Sequence, residues 1–256
     1  MKTCKHIRVE ITPGVLAITL ARADKKNALT SEMYQALSSA LESASADQTI
    51  RVVLLDSEGE DFCAGNDIAE FLAMAQSPQA LQDSTLLKFL HLLAGFDKPL
   101  VAAVRGRAVG IGTTLLLHCD LAYVAEDARL SAPFVDLALV PEAASSLLLP
   151  QRIGHVKAFA MFALAENMDG RAAVGCGLAN AALPSGQVSA QARKAAQLLA
   201  GKNQQALQAT KRLMRAHAPL QAVIEAEARV FAERLQSPDA QAVFQSFIAR
   251  RSARPS

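Results

Sequence analysis

A short segment of the chain, Phe62-Cys63-Ala64-Gly65-Asn66-Asp67-Ile68, connects a predicted strand to a predicted helix. The apolar run 52–55 before it is typical of a buried parallel strand, and a helix is predicted to begin near Ile68. Gly65 lets the backbone turn sharply between the two elements and expose N–H groups. The segment is therefore a candidate place for holding a negatively charged oxygen.

A second connection of the same kind lies downstream. The run Leu100–Val104 is another predicted buried strand, and it leads through Gly106 to the glycine-containing segment 108–112. An apolar helix is predicted over 113–119. Two N–H groups exposed at two such turns can converge on one anionic oxygen, as in an oxyanion hole.

Composition excludes several classes of protein. The 256 residues are 51% hydrophobic with a formal net charge of +2, which suffices for a sizeable core in one large or two small domains. The chain has no Trp and only 5% aromatic residues, so a nucleic-acid partner is not expected. The four cysteines show no paired metal or redox spacing, and we expect reduced thiols and no metal site.

The chain shows no apolar leader and no apolar run that is free of charges and long enough to span a bilayer. We therefore expect a cytoplasmic protein that has no membrane partner.

Strand-like and helix-like segments alternate along most of the chain. Residues 7–12 and 15–20 predict a hairpin around Pro13-Gly14. A helix capped by Thr30 or Ser31 is predicted next, and another is predicted to open at Pro78. The first of these helices is predicted to have one apolar face, formed by Met33, Leu37, Ala40, Leu41 and Ala44. Further strands are predicted over 121–125, 129–132 and 178–183. This order favours an α/β fold with largely parallel strands.

The character of the sequence changes near Pro184. From Ser189 onward the pattern is helical, with breaks near 201–203, 218–219 and 237–238. We predict an α/β core over residues 1–187 that binds the ligand and a helical C-terminal module over 188–256. Spare apolar faces of the module suit oligomerisation, and they equally suit packing against the chain's own body.

Four blocks of the sequence resemble the crotonase (enoyl-CoA hydratase/isomerase) superfamily. They are Lys25-Lys26-Asn27-Ala28-Leu29, the 62–68 segment, the 98–106 segment and Ala108-Val109-Gly110-Ile111-Gly112. The blocks follow the family's order, and the similarity extends through the helical tail. The resemblance implies a crotonase-like spiral of ββα units with a C-terminal helical trimerisation module, assembled as a homotrimer or a dimer of trimers.

The resemblance also implies the ligand, an acyl-CoA thioester, with coenzyme A as part of the substrate and no separate cofactor. By the same analogy, the N–H groups of Ala64 and Ile111 hold the thioester oxygen, and the helix that follows Ile111 favours a developing enolate. Further positions in or near the matching blocks are expected to bind substrate: Arg22, Lys26, Ala28, Gly65, Asn66, Asp67, Ile68, Gly110 and Phe134. Contact with the CoA phosphates and an ordinary loop charge remain equal alternatives for Arg22 and Lys26. A turn-stabilising role is favoured for Asp67.

The acid/base residues decide which reaction such a fold performs. Hydratases of the family use two glutamates, and the matching positions here are Thr114 and Phe134. Neither side chain transfers a proton as a carboxylate does, which makes the two-glutamate addition of water doubtful. The Thr114→Ala substitution is therefore expected to have little effect on activity. Glu142 matches the single catalytic glutamate of the peroxisomal-type Δ3,Δ2-enoyl-CoA isomerases. The resemblance therefore implies an isomerase of fatty-acid β-oxidation, in which Glu142 moves a proton from the α to the γ carbon through an oxyanion-stabilised dienolate.

Alternatives remain open at this point. Glu142 could instead cap the following helix, and Asp136 could lie at the pocket rim or in solvent. His91 and His118 are interpreted as satisfied or partly exposed residues, and nothing lowers the pKa of Cys63 visibly. Competing functions are an enoyl-CoA hydratase, a ring-type CoA-ester isomerase of aromatic-acid breakdown, and an RNA-binding or scaffolding member with vestigial catalysis.

Overall fold

The structure, a computed structural model of the chain, describes residues 4–74 and 83–252. Its strands are β1 (Ile7–Thr12), β2 (Val15–Leu20), β3 (Val52–Ser57), β4 (Leu100–Val104), β5 (Arg107–Val109), β6 (Leu121–Ala125), β7 (Arg129–Ser131), β8 (Met168–Asp169) and β9 (Ala181–Leu183). Its helices are α1 (Ser31–Ala46), α2 (Ile68–Met74), α3 (Thr85–Ala94), α4 (Ile111–Thr114), α5 (Ser145–Ile153), α6 (His155–Ala163), α7 (Gly170–Gly175), α8 (Val188–Ala200), α9 (Gln204–Met214), α10 (His217–Leu235) and α11 (Pro238–Ser252).

Two sheets organise the core. The larger has six strands in the order β1-β2-β3-β4-β6-β9, and all neighbours except the β1–β2 hairpin are parallel. The smaller has the order β5-β7-β8, in which β5 and β7 are parallel. The predicted hairpin, the buried parallel strands and the α/β class are therefore confirmed.

The first helix forms as its sequence predicts. Thr30, rather than Ser31, is the cap, because its hydroxyl accepts the N–H of Met33 at 3.3 Å. The predicted apolar face of α1 is fully buried. Its members are Met33, Leu37, Ala40, Leu41 and Ala44. The helix start predicted at Pro78 lies outside the described residues, and α3 is described from Thr85 onward.

The helix predicted over 113–119 is the main correction to the local structure. It begins earlier, at Ile111, and after Thr114 it tightens into a 3-10 helix over Leu115–His118. Gly110 has a φ of 56°, and its carbonyl oxygen accepts the N–H groups of Thr113 and Thr114, which starts the helix at once. As a result, Ile111 and Thr114 lie on the same short helix.

The C-terminal helices pack against the body of their own chain. Helix α8 lies against β3, β4 and β6, α10 packs on α3 and α5, and α11 packs on α2. The break predicted at 218–219 falls slightly earlier, since α10 begins at His217 and holds Pro219 in its first turn, where proline is tolerated. The helical tail thus brings α10 to the α3–α5 region.

In the described part of the chain, none of the helices combines the length and the apolar character needed to cross a bilayer.

Candidate active site

The two predicted turns lie directly against each other. Cys63 pairs with Ala108 in a parallel bridge, and the N–H of Val109 donates to the carbonyl oxygen of Cys63 at 2.9 Å. A Cβ on Gly112 would lie 2.6 Å from that same Cys63 oxygen. Gly65 has a φ of 94°, and a Cβ there would lie 3.1 Å from the oxygen of Val109. Glycine at 65 and 112 is what permits this close approach.

The structure corrects the predicted donor in the first turn. The N–H of Ala64 is already used, because it donates to the carbonyl oxygen of Lys26 at 2.9 Å. The N–H of Asn66, two residues later, has no acceptor among the described residues. We therefore replace Ala64 by Asn66 as the candidate donor. The error arose because sequence shows which turn exposes N–H groups but not which of them a neighbouring loop occupies.

The second turn offers the N–H of Ile111, as predicted. This residue opens α4 and is fully buried, and the first N–H groups of a helix have no acceptor within that helix. The N–H of Gly110 is not free, since it donates to the carbonyl oxygen of Ser131 at 2.9 Å. Gly110 therefore shapes the turn, whereas Ile111 presents a donor.

Tyr34 fixes the Asn66 side chain. The buried phenol donates to Oδ1 of Asn66 at 2.5 Å. The backbone on either side of Asn66 is held by Leu29, whose N–H donates to Gly65 and whose carbonyl oxygen accepts from Asp67, both at 2.8 Å. Burial, and next the charge of Glu142, raise the pKa of Tyr34 well above its usual range, so the phenol stays protonated. Sequence analysis did not identify Tyr34.

Glu142 lies in the segment before α5 and is only 4% exposed. Its Oε1 accepts a hydrogen bond from the hydroxyl of Thr114 at 2.6 Å, while the buried Oε2 has no hydrogen-bond partner among the described residues. Burial, together with the negative charge of Glu227, raises the pKa of Glu142 to about 8 despite the hydrogen bond from Thr114. A carboxyl group with this pKa both accepts and returns a proton near neutral pH.

Thr114 therefore has a role that the sequence did not predict. We expected the Thr114→Ala substitution to have little effect, because a hydroxyl does not replace a glutamate. In the structure the hydroxyl orients the catalytic candidate itself. Ile111 and Thr114, three residues apart on α4, thus link the second turn to Glu142.

Glu142 does not cap the following helix. Helix α5 begins at Ser145, and its N-cap residue, Ala144, makes no side-chain capping bond. The acceptor at this helix end is Glu227 of α10, whose Oε2 and Oε1 accept the N–H groups of Ala144 and Ser146 at 2.7 and 2.9 Å. Sequence offered no signal for this contact, because Ala144 and Glu227 are 83 residues apart.

A small apolar cavity of about 20 Å³ lies beside Glu142. It is walled by α3 and α10, and both Glu142 and Glu227 reach it. The apolar residues that line the cavity with the two carboxyls are Leu86, Leu87, Leu90, Ala143, Ile224, Ala228 and Phe231. Such a lining favours the exclusion of water from the carboxyl group of Glu142.

Phe134 does not line this cavity. The residue is buried, and its ring packs on Phe162 with 5.9 Å between ring centroids. This packing holds the ring of Phe134 against α6, and its contact with substrate stays a prediction.

Arg22 is committed within the protein. Its Nη1 donates to Oδ2 of Asp67 at 2.8 Å and to the carbonyl oxygen of Ala28 at 2.9 Å. Burial alone would raise the pKa of Asp67, but Arg22 and the N–H groups of Ala69 and Glu70 outweigh it and lower the pKa. Arg22 is thus held in the turn through Nη1, its contact with the CoA phosphates stays a prediction, and Asp67 stabilises the turn as favoured above.

The other predicted binding residues flank this turn. Lys26 is exposed beside Ala64, Ala28 is buried, and Ile68 opens α2 with its side chain partly buried. Lys26 makes no ion pair with any described residue, and its contact with the CoA phosphates stays a prediction.

The remaining titratable candidates are not acid/base groups. Asp136 is exposed, and His91 is partly exposed and pairs with Glu225 at 2.6 Å. His118 is buried and neutral, because burial, and next Arg215, lower its pKa to about 3. Burial raises the pKa of the Cys63 thiol to about 12, which removes it as a nucleophile. Among the described residues, no group of three or more His, Cys, Asp or Glu side chains is placed to hold a metal ion.

Known proteins share both the sequence and the fold. The profile of the family described as enoyl-CoA hydratase/isomerase matches residues 10–254. A probable enoyl-CoA hydratase of Bacillus subtilis is 31% identical over 88% of this chain and 89% of its own length. Enoyl-CoA delta isomerase 2 of Rattus norvegicus is 35% identical over 70% of this chain, although the match spans only 46% of the rat protein.

Solved structures agree with this assignment. OdaA of Pseudomonas aeruginosa superposes with a TM-score of 0.90 at 45% identity, covering 96% of this chain and 99% of that one. An enoyl-CoA hydratase/isomerase of Pseudoalteromonas atlantica superposes with a TM-score of 0.89 at 35% identity, covering 98% of this chain and 100% of that one. On its sequence, its fold and its paired turns, the chain belongs to the enoyl-CoA hydratase/isomerase family, the crotonase superfamily.

Proposed function

We propose that this chain is a Δ3,Δ2-enoyl-CoA isomerase in which Glu142 is the single acid/base. One observation carries the proposal: Glu142 is buried, one of its oxygens is oriented by Thr114, and the other has no hydrogen-bond partner in the described part of the chain. Its pKa, raised to about 8, suits a group that must take up a proton and give it back.

The reaction follows from this arrangement. The thioester oxygen of a 3-enoyl-CoA accepts hydrogen bonds from the N–H groups of Asn66 and Ile111. The carboxylate of Glu142 removes a proton from the α carbon, and the electron pair of that C–H bond forms a dienolate whose negative oxygen stays in the two-donor hole. The protonated Glu142 then delivers the proton to the γ carbon, which moves the double bond to the 2-position and regenerates the carboxylate.

A hydratase is the second candidate, and one observation favours it. Glu227 is a second buried carboxylate at the same cavity, and hydratases need a second group to position water. Both oxygens of Glu227 are, however, occupied by main-chain N–H groups. The position matching the hydratase glutamate on α4 is Thr114, which donates to Glu142. These contacts support isomerisation over the addition of water.

The relatives carry both names, since the Bacillus subtilis protein is called a probable hydratase and the rat protein a delta isomerase.

An assay with two substrates separates the candidates. Purified protein receives a 3-enoyl-CoA or a trans-2-enoyl-CoA, and the absorbance of the conjugated enoyl thioester is followed. We expect the absorbance to rise on the first substrate and to stay nearly constant on the second. A fall on the second identifies a hydratase, and activity only on ring-type CoA esters identifies the aromatic-acid alternative.

The assembly and the location belong to the same proposal. We propose a cytoplasmic homotrimer or dimer of trimers, supported by the family's usual organisation and by exposed apolar side chains on α6 such as Val156 and Phe159. Light scattering on the intact chain measures the mass directly, and a monomer at assay concentration contradicts this part of the proposal.

A further inference from the structure

The segment that carries Glu142 is strained. Ala143 and Ala144 have φ values of 61° and 54°, a left-handed conformation that residues with a Cβ rarely adopt. Such backbone persists only where its surroundings hold it in place. Here the carbonyl oxygen of Ala143 lies 2.7 Å from Nε2 of the neutral His118. The N–H groups of Ala144 and Ser146 are both held by Glu227.

Glu227 reaches this segment from the distant helix α10. It is only 8% exposed, and each of its two carboxyl oxygens accepts one N–H group of the segment. Because α5 lacks a side-chain cap of its own, Glu227 supplies the acceptor for the first N–H groups of that helix. The position of Glu142 therefore depends on a residue of the C-terminal module.

The two buried carboxyls differ in their hydrogen bonds. Burial raises the pKa of Glu227, but the two main-chain N–H groups that it accepts oppose this rise by favouring its charged form. Among the described residues, the carboxyl group of Glu142 accepts a hydrogen bond only from the hydroxyl of Thr114. Two neighbouring carboxyls in unequal surroundings divide the roles, so that the better solvated one keeps the charge and the other binds the proton. In this pair, Glu227 keeps the charge and Glu142 takes the proton.

Apart from Glu227, the described titratable groups closest to Glu142 carry no charge near neutral pH. Tyr34 of α1 and Cys63 of the first turn both have raised pKa values, chiefly because of burial. His118, which faces Ala143 from the 3-10 helix after α4, is neutral because its pKa is lowered. Arg215 pairs with His118 at 2.8 Å, on the side of the imidazole away from Ala143. The negative charge acting on Glu142 in the described site is thus that of Glu227.

We propose that Glu227 is a positioning residue for Glu142: it fixes the strained turn that carries this base and holds a negative charge beside it. The inference rests on the proposed function, because it assigns Glu142 as the base. It makes the helical C-terminal module a direct contributor to the chemistry of the core.

The test compares three variants in α10 by the pH dependence of kcat on a 3-enoyl-CoA. Glu227→Gln removes the charge and keeps the size, while Glu227→Asp keeps the charge and shortens the reach. Glu225→Gln is the matched control, since Glu225 is exposed two residues away and pairs with His91. We expect Glu227→Gln to lower the plateau of kcat and to leave KM nearly unchanged. The ascending limb of the profile of kcat against pH should move to lower pH, because loss of the negative charge lowers the pKa of Glu142. Glu227→Asp should lower the plateau without moving the limb to lower pH, and Glu225→Gln should change neither.

Two outcomes overturn the inference. If Glu227→Gln lowers the melting temperature but leaves the limb where it is in the wild type, Glu227 is merely a structural cap. If Glu225→Gln moves the limb equally, the effect is a general one of charge on α10. An infrared titration measures the pKa of the Glu142 carboxyl group directly, without turnover. The carboxyl band of Glu142 is identified as the one that disappears in Glu142→Gln. A downward shift of this titration in Glu227→Gln supports the pairing even if the wild type proves inactive on 3-enoyl-CoA.

Discussion

The hydroxyl of Thr114 donates a hydrogen bond to Oε1 of Glu142 over 2.6 Å, and both side chains are buried. A hydrogen bond to a carboxylate favours its charged form and so lowers the pKa of Glu142 against the larger opposing effect of burial. This contact joins the helix that presents the Ile111 N–H to the carboxyl group that we propose as the acid/base.

Without the hydroxyl of Thr114, Glu142 should need a higher pH to lose its proton and act as a base. In Thr114→Val the pKa of Glu142 rises further, so the ascending limb of the pH–rate profile moves upward. At a fixed pH below the ascending limb, activity falls by about tenfold for each pH unit by which the limb moves upward. Thr114→Ser keeps a hydroxyl and should restore the wild-type profile. An unmoved limb in Thr114→Val would show that the hydrogen bond does not tune the base.

Removal of the carboxyl group at 142 should abolish proton transfer. Glu142→Gln keeps the size of the side chain, and we expect turnover of 3-enoyl-CoA to fall by about 10²–10⁴-fold with binding of the CoA ester nearly intact. In the wild type, activity should rise as the pH passes through about 8, because the base must be deprotonated to act. Glu166→Gln, a change at an exposed glutamate, is the control. A loss of less than tenfold would exclude Glu142 as the acid/base.

The same substitution, Glu142→Gln, should also change how the free energy of unfolding depends on pH. The pKa of Glu142 is raised from 4.5 to about 8 by folding, so the folded state binds a proton that the unfolded state has released. The contribution of Glu142 to stability is therefore full below about pH 4.5 and is lost as the pH rises through about 8. Thermal melting should show Glu142→Gln gaining stability relative to the wild type between about pH 5 and pH 9. A constant difference in melting temperature across this range would contradict the raised pKa.

The contact between the two turns should be sensitive to a single methyl group. A Cβ at Gly112 would lie 2.6 Å from the carbonyl oxygen of Cys63, so Gly112→Ala must push the turns apart. Because both candidate donors belong to these turns, we expect kcat to fall by about 10²-fold or more, as on loss of one oxyanion donor. Gly186→Ala is the control, since nothing lies within 4 Å of a Cβ there. Wild-type kinetics in folded Gly112→Ala protein would argue against the two-turn oxyanion hole.

Lys98 is a structural residue, and its loss should reduce stability more than activity. Its buried ammonium donates to the carbonyl oxygens of Ala44, Asp47 and Ile50, which closes the C-terminal end of α1. Lys98→Met removes the donor that these oxygens share, although the Asp47 oxygen keeps the N–H of Ile50, and we expect the free energy of unfolding to fall by about 3 kcal/mol. Denaturant unfolding measures this loss, with the exposed Lys88→Met as control. Equal stability of the two variants would contradict the assignment.

Sequence by itself determined the features that depend on neighbours along the chain. The periodicity of apolar residues and the turn residues predicted the hairpin, the buried parallel strands and the apolar face of α1, because each is set by local geometry and burial. The two glycine turns were found in the same way, whereas Glu142 was singled out through the family resemblance.

Only the tertiary structure decided which groups in those segments are free and which are paired. Lys26 occupies the N–H of Ala64 and leaves that of Asn66. Thr114 orients Glu142, Arg22 is held by Asp67, and Glu227 reaches the strained turn from 83 residues away. Hydrogen bonds and pKa values depend on atoms within a few ångströms in space, and sequence separation carries no information about those distances.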